Sequence, residues 1–334
     1  MKVAVIGAGT MGGMHADLLG AMDEVDSLFV VDADEARADE VARRNGGTAV
    51  TFDEAIDAAE AIVIATPAEA HAGAVTTAID AGRHVLCEKP LTDALESSIE
   101  LTRRIETDGA HVEVGFQRRH DAAFIAARRA VDGRPHLVKL TAQDPLVTRR
   151  PSVGAAPEIA PMFRDSSVHD FDLVRWLTRQ EVTEVHAVTG SREGEAPVDV
   201  RDIESAVVSM RLSGGTLAVL DASWLQPSGY DVRVEIVGAA GAVSAGHTPR
   251  TPVRPVETDE AADPWPGYLE RFEAAYRAEL AAFLACCRTG APPAATARDG
   301  LEALRIAVAA TRSHLERRTV SLDEVPSLAA VRVA

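Results

Sequence analysis

Val3-Ala4-Val5-Ile6-Gly7-Ala8-Gly9-Thr10-Met11-Gly12 decides how this chain is read. Val3 to Ile6 is a short apolar run of the kind that forms a buried strand. Gly7, Gly9 and Gly12 follow with G-x-G-x-x-G spacing, and helical periodicity begins near Met11 and carries Met14, Leu18 and Leu19. The first glycine permits a tight turn, the second lets backbone approach a pyrophosphate, and the third lets helix and strand pack closely. The helix N-terminus then offers free N–H groups and a partial positive charge to an anion. Three glycines alone are a weak signal. With a strand before them and a helix after, they point to dinucleotide binding by Gly7, Ala8, Gly9, Thr10, Met11 and Gly12.

The next strand narrows the cofactor. Leu28-Phe29-Val30-Val31 ends at Asp32, which stands 20 residues beyond Gly12. A carboxylate at that place can accept from both ribose hydroxyls and repels a 2′-phosphate, so NAD is expected over NADP. Arg37 is close enough in sequence to soften the preference.

The whole chain sets bounds. Its 334 residues suit about two domains, and 46% apolar residues suffice for large cores. A net charge of −17 argues against nucleic acid or an anionic membrane as main partners. No apolar run reaches the ~18 residues of a membrane-spanning helix. The chain enters a strand at once, without a signal-peptide pattern. Cys87, Cys286 and Cys287 make neither a disulfide framework nor a metal spacing. A reduced, cytoplasmic protein is expected.

Residues 1–118 alternate strand and helix. Further strands are expected at Ala61 to Ala65, His84 to Cys87 and Val112 to Val114, with helices through His71, Val75 and Ile79 and over Leu95 to Ile105. Repeated β-α units imply a doubly wound parallel sheet, the Rossmann arrangement. Residues 119–334 read as an α+β domain with a large open mixed or antiparallel sheet. Its strands are expected at 137–142, 182–189, 205–212, 216–224 and 230–237. Ser213-Gly214-Gly215 marks a hairpin. Helices are expected at 121–131, 165–178, 267–288 and 297–316, the last able to pack back on the first domain. Apolar residues at 232, 234, 236 and 237 hint at a face covered by another subunit. The tract Pro249 to Pro266 reads as an ordered connector.

Two constellations carry chemistry. Glu88-Lys89-Pro90 follows a strand directly, and the carboxyl ends of strands in such sheets face the ligand crevice. A lysine fixed there lies near a nicotinamide and can move a proton or stabilise negative charge, whereas most lysines on turns are only solvated. Asp165-Ser166-Ser167-Val168-His169-Asp170-Phe171-Asp172 is the second. At helical spacing Asp165, His169, Asp172 and Trp176 share one stripe. A carboxylate one turn from a histidine can orient its ring and support its cation, making a general base. Asp165 could instead cap the helix. D-x-x-x-H could also give two metal ligands, but no third is evident, so no metal is expected. Gly115-Phe116-Gln117-Arg118-Arg119-His120-Asp121 marks the crossing between domains, where ligand clefts commonly lie.

Together these pieces resemble the glucose–fructose oxidoreductase and inositol dehydrogenase family, Gfo/Idh/MocA, over nearly the full length. The matching stretches are G-A-G-T-M-G at 7–12, A-T-P at 65–67 with His71, E-K-P at 88–90, G-F-Q-R-R-H-D at 115–121, D-S-S-V-H-D-F-D at 165–172, Tyr230 to Gly238, and Tyr276-Arg277-Ala278-Glu279. The G-F-x-R-R-x-D stretch, Asp172 and the Tyr230-Asp231 pair look most like the myo-inositol 2-dehydrogenase branch. The resemblance implies NAD-dependent oxidation of a ring hydroxyl of a cyclic polyol or sugar. It implies Lys89, Asp165 and His169 as the catalytic set. Thr66, Pro67, His71, Glu88, Lys89 and Gln117 would join the glycine loop and Asp32 in holding the cofactor. Lys89, Gln117, Asp165, His169, Asp172 and Tyr230 would hold substrate. It further implies a cis bond before Pro90 and homodimers or homotetramers built through the open sheet.

Whether Lys89 or His169 accepts the proton stays open at this level. So do two other readings, a reductase of another small carbonyl compound and a cofactor-binding sensor without catalysis. One departure bears on substrate. Where the family often carries a Gly-Gly pair before the D-x-x-x-H aspartate, this chain reads Ile159-Ala160-Pro161-Met162-Phe163-Arg164. Apolar bulk there is expected to reshape the substrate pocket, and the loop Val147 to Pro161, with Arg149 and Arg150, also differs from the inositol pattern.

Overall fold

The computed structural model describes residues 1–130, 135–145, 159–192, 199–227, 229–239, 241–246 and 265–329. The chain divides into two compact units, one of Met1–Gln117 with Tyr276–Leu301, the other of Arg118–Ala275 with Glu302–Ala334.

The first unit runs β1 (Lys2–Ile6), α1 (Thr10–Gly20), β2 (Ser27–Val31), α2 (Glu35–Arg44), β3 (Thr48–Ala49), α3 (Phe52–Ala58), β4 (Ala61–Ile64), α4 (Ala68–Asp80), β5 (His84–Glu88), α5 (Leu95–Asp108) and β6 (Val112–Gly115). Among the described residues its sheet has the order β3-β2-β1-β4-β5-β6, with every pairing parallel. Strand order reverses between β1 and β4, so a crevice opens at the carboxyl ends of these two strands. Val3, Val5, Ile62 and Ile64 are fully buried or nearly so, as expected of strands covered on both faces. The helix α3 starts on a capping box between Thr51 and Glu54. Residues from the far end of the chain complete the unit. The Val114 N–H donates to the Ala295 carbonyl at 2.9 Å, extending the backbone pairing beyond β6.

The second unit holds α6 (Ala122–Ala130), β7 (Pro135–Pro145), α7 (Val168–Thr178), β8 (Val182–Gly190), β9 (Ser205–Leu212), β10 (Leu217–Gln226), β11 (Asp231–Gly238), β12 (Gly241–Ala245) and β13 (Val320–Ser321). Its sheet is mixed, in the order β12-β11-β7-β10-β9-β8-β13, and only β7–β10 is a parallel pair among the described strands. The hairpin at Ser213-Gly214-Gly215 joins β9 to β10 as its sequence predicts. The division between units falls within α8 (Tyr268–Thr289) and α9 (Ala297–Glu316).

The outer face of this sheet differs from the sequence expectation. Val232, Val234 and Ile236 are at most 3% exposed, so this chain covers them itself, while Val237 is half-buried. The opposite face of β11 shows Asp231, Arg233 and Glu235. Exposed apolar side chains lie elsewhere in the sheet, at Val188, Val207 and Leu217. Val188 and Val207 are cross-strand neighbours. Alternation alone cannot say which row meets the chain's own helices. The connector 249–266 lies, except for its last two residues, outside the described residues, as do residues 147–158.

Candidate active site

The glycine loop has the geometry its spacing demands. Gly7 takes φ +94°, and a Cβ there would stand 2.7 Å from the Ala65 carbonyl oxygen, so only glycine lets β1 and β4 approach. A Cβ on Gly12 would stand 1.7 Å from the Gly7 carbonyl oxygen. Gly9 is different: it is exposed, and a Cβ there would meet no heavy atom within 4 Å. It is also the N-cap of α1 and provides no side-chain cap, so the first-turn N–H groups remain for an anion.

Asp32 closes the far side of this loop. One carboxylate oxygen accepts from the Ala8 N–H at 2.6 Å, and the other accepts from the Asp34 N–H at 2.8 Å and the Arg37 guanidinium at 2.7 Å. Burial opposes its ionisation, but Arg37 and the two N–H groups outweigh it and hold the carboxyl below the ordinary aspartate value. The Thr66 hydroxyl and the Gln117 side-chain carbonyl oxygen are buried with no hydrogen-bond partner among the described residues. Open space at Gly9, an uncapped helix start, an ionised Asp32 and two orphaned polar atoms fit a dinucleotide.

Lys89 sits at the carboxyl end of β5, half-buried, and the Lys89–Pro90 peptide is cis. The turn is braced from two helices. The His71 ring bridges the carbonyl oxygens of Pro90 and Thr66, both at 2.9 Å. His15 Nε2 lies 2.7 Å from Glu88 Oε1. His71 and Glu88, both predicted to hold cofactor, are thus buried and engaged with protein groups. Gln117 donates to the Tyr276 hydroxyl at 2.9 Å. His15 had no place in the sequence reading, because a histidine in a helical apolar pattern is indistinguishable from a packed one. Its spacing with Leu18 and Leu19 on the sheet-facing side was the available signal.

In the second unit Asp165 does not cap an α-helix. A π-helical turn, Met162–Ser167, precedes α7, and Asp165 lies within it. Such insertions are rare and cluster at functional sites. Asp165 accepts from the Arg164 guanidinium through both oxygens, at 2.8 and 3.2 Å. His169 is half-buried in the first turn of α7. The expected polar stripe divides beyond it. Asp172 is 1% exposed and accepts from Arg119 at 2.8 and 2.5 Å. Trp176 lies under the Arg128 guanidinium, 4.4 Å from the ring centroid. Tyr230 is buried, and its hydroxyl is hydrogen-bonded to Arg118, which also donates to Asp170 at 2.5 Å. The apolar residues standing where the family often has glycines turn inward. Ile159, Ala160, Met162 and Phe163 are at most 1% exposed, and the Phe163 ring packs on Phe171. Their bulk is packed in the interior of this unit.

Known proteins carry the same plan. Residues 1–116 match the profile described as an oxidoreductase family NAD-binding Rossmann fold, and residues 147–322 match the C-terminal alpha/beta domain of the same family. A myo-inositol 2-dehydrogenase of Thermotoga maritima is 32% identical over 337 residues, spanning 97% of this chain and 99% of that protein. Among solved structures, a myo-inositol dehydrogenase from Corynebacterium glutamicum superposes with a TM-score of 0.87 at 30% identity, over 96% of this chain and 98% of the other. A scyllo-inositol dehydrogenase from Lactobacillus casei, solved with bound NAD(H) and scyllo-inositol, gives 0.87 at 25% identity over 97% and 99%. A dinucleotide loop, a lysine at the end of β5, an acid–histidine helix start and these likenesses lead to one assignment: the chain belongs to the Gfo/Idh/MocA oxidoreductase family.

Proposed function

We propose that this protein is an NAD-dependent dehydrogenase that oxidises a ring hydroxyl of a cyclic polyol of the inositol class. The observation that carries the reading is Lys89, held at the carboxyl end of β5 in a sheet whose β1 loop fits a dinucleotide. NAD, when bound, supplies the nicotinamide C4 that takes the hydride. His169 accepts the hydroxyl proton as the C–H hydride leaves, and the alcohol becomes a ketone. The Lys89 ammonium stabilises the negative charge that develops on the reacting oxygen. Arg164 keeps the Asp165 carboxylate in place beside this helix start. Relatives named for myo- and scyllo-inositol support the substrate class. Mixing the protein with NAD and each inositol isomer should raise absorbance at the NADH wavelength for at least one of them. No reduction of NAD with any inositol or aldose would remove the proposal.

NAD rather than NADP follows from Asp32. In Asp32→Ser the carboxylate is lost and Arg37 is released toward the place of a 2′-phosphate. The NAD-over-NADP preference should then fall by roughly 10- to 100-fold, the worth of one or two charged hydrogen bonds. Unchanged dissociation constants for both nucleotides would count against the assignment. The apolar cross-strand pair Val188 and Val207, with Leu217, favours a homodimer or homotetramer built on the open sheet face. Among the described residues no helix is long and apolar enough to cross a membrane, which agrees with a cytoplasmic enzyme.

A further inference from the structure

The turn that carries Lys89 is hydrogen-bonded to a buried carboxylate, and that carboxylate meets a histidine with no part in the chemistry above. His15 is fully buried in α1, three residues past Gly12. Its Nε2 meets Glu88 Oε1 at 2.7 Å, while Glu88 Oε2 accepts the Lys89 backbone N–H at 3.2 Å. The space is made for this carboxylate, since a Cβ on Gly115 would lie 3.2 Å from Glu88 Cδ and Oε2. The His15 and Tyr276 rings pack edge to face, with centroids 6.0 Å apart and planes at 88°. On the other flank His71 holds the Pro90 carbonyl. The helix whose N-terminus faces the nucleotide is thereby joined to the backbone of Lys89 through two hydrogen bonds.

Resting on the function proposed above, we propose that His15 is a positioning residue for Lys89, holding the Glu88 carboxylate on the Lys89 N–H and so fixing the turn from which the Lys89 side chain extends. An ionised carboxylate that is 6% exposed cannot rely on water and needs partners. The groups that face Glu88 are His15 from α1, His71 from α4, Glu279 from α8, and its chain neighbours Cys87 and Lys89. Burial pushes Glu88 toward its neutral form, and His15, by hydrogen bond and charge, does most to keep it ionised, aided by Lys89 and His71. Glu279 lies fully buried with no hydrogen-bond partner among the described residues. Burial and the negative charges of Glu88 and Glu113 drive it far toward its neutral form, so it adds no second buried charge beside Glu88.

The folded-state pKa of Glu88 is depressed, so its contribution to stability is present above the ordinary value of 4.5 and is lost as pH falls through the folded value. Removing His15 takes away the largest contribution that opposes burial and raises that pKa. The difference in melting temperature between wild type and His15→Leu, both without nucleotide, should therefore widen as pH rises from about 4.5 to neutrality. It should collapse when Glu88→Gln is made in both backgrounds. With NAD and polyol, His15→Leu should lose about 10²-fold in kcat, as a displaced catalytic group does, while KM and NAD affinity change little. The acid limb of its kcat profile should move to higher pH. His15→Gln, which keeps a donor near the place of Nε2, should recover most of the loss. A melting difference that is flat with pH, or a His15→Gln variant as impaired as His15→Leu, would overturn the proposal. Should His15→Leu fail to fold, Glu88→Gln alone is compared with wild type: its melting difference should widen over the same pH range, and a flat difference would overturn the proposal. If wild type reduces no NAD with any polyol, the function reading fails; the melting series needs no substrate and still decides the His15–Glu88 link.

Discussion

Lys89→Ala should lose about 10³-fold in kcat, the usual scale for removing a group that stabilises charge or transfers a proton in the transition state. NAD affinity should stay within a few-fold of wild type, because the glycine loop and Asp32 follow β1 and β2 and are untouched. Stopped-flow turnover and fluorescence titration of NAD separate the two quantities. Lys89→Arg sharpens the result. Arginine keeps the positive charge but cannot release a proton near neutrality. A variant that retains clearly more activity than Lys89→Ala supports charge stabilisation by Lys89 and proton acceptance by His169. Equal inactivity of the arginine and alanine variants would assign the proton to Lys89. Near-normal kcat in Lys89→Ala would remove it from the reaction altogether.

Gly12→Ala and Gly9→Ala should fail in different ways although both sit in one loop. The Cβ of Gly12→Ala collides with the Gly7 carbonyl, so α1 must move away from β1. Overpacking of this kind costs about 1–3 kcal/mol, or roughly 2–12 °C in Tm. NAD affinity should fall by about 10²-fold as the first-turn N–H groups leave the phosphates. Gly9→Ala meets nothing in the protein and should melt like wild type. Its methyl group would instead stand where the pyrophosphate approaches, so NAD affinity should fall with no loss of stability. Calorimetry on the two variants tests this contrast. Loss of stability in Gly9→Ala, or normal NAD binding in Gly12→Ala, would contradict the assigned use of the loop.

What was legible from sequence follows from which interactions are local. Each strand of the first sheet announced itself except β3, whose two residues, Thr48–Ala49, are too few for any periodicity. The helices α2 and α3 escaped because the first is dominated by charged residues and the second spans only Phe52–Ala58. Lys89 was legible because E-K-P follows a strand, and the chain direction of a parallel sheet then fixes which rim it occupies. The 165–178 helix was recognised, but counting at 3.6 residues per turn cannot detect an inserted π turn. The pairing of Asp165 with Arg164 rather than a helix cap was therefore invisible. So were the partners of Asp172 and Tyr230. Arg119 and Arg118 lie more than 50 residues away in sequence, and no spacing rule connects them.

The nucleotide unit is not a contiguous stretch of chain. Its first 117 residues are joined by Tyr276–Leu301, which bring Leu280, Phe283 and Leu284 into its core and continue the backbone pairing past β6. On the ribosome, then, residues 1–117 emerge well before the segment that completes their unit. Until residue 301 has left the exit tunnel, the hydrophobic surface awaiting those side chains stays open to water and to neighbouring nascent chains. Premature termination anywhere before that residue yields an incomplete nucleotide unit rather than a smaller working one.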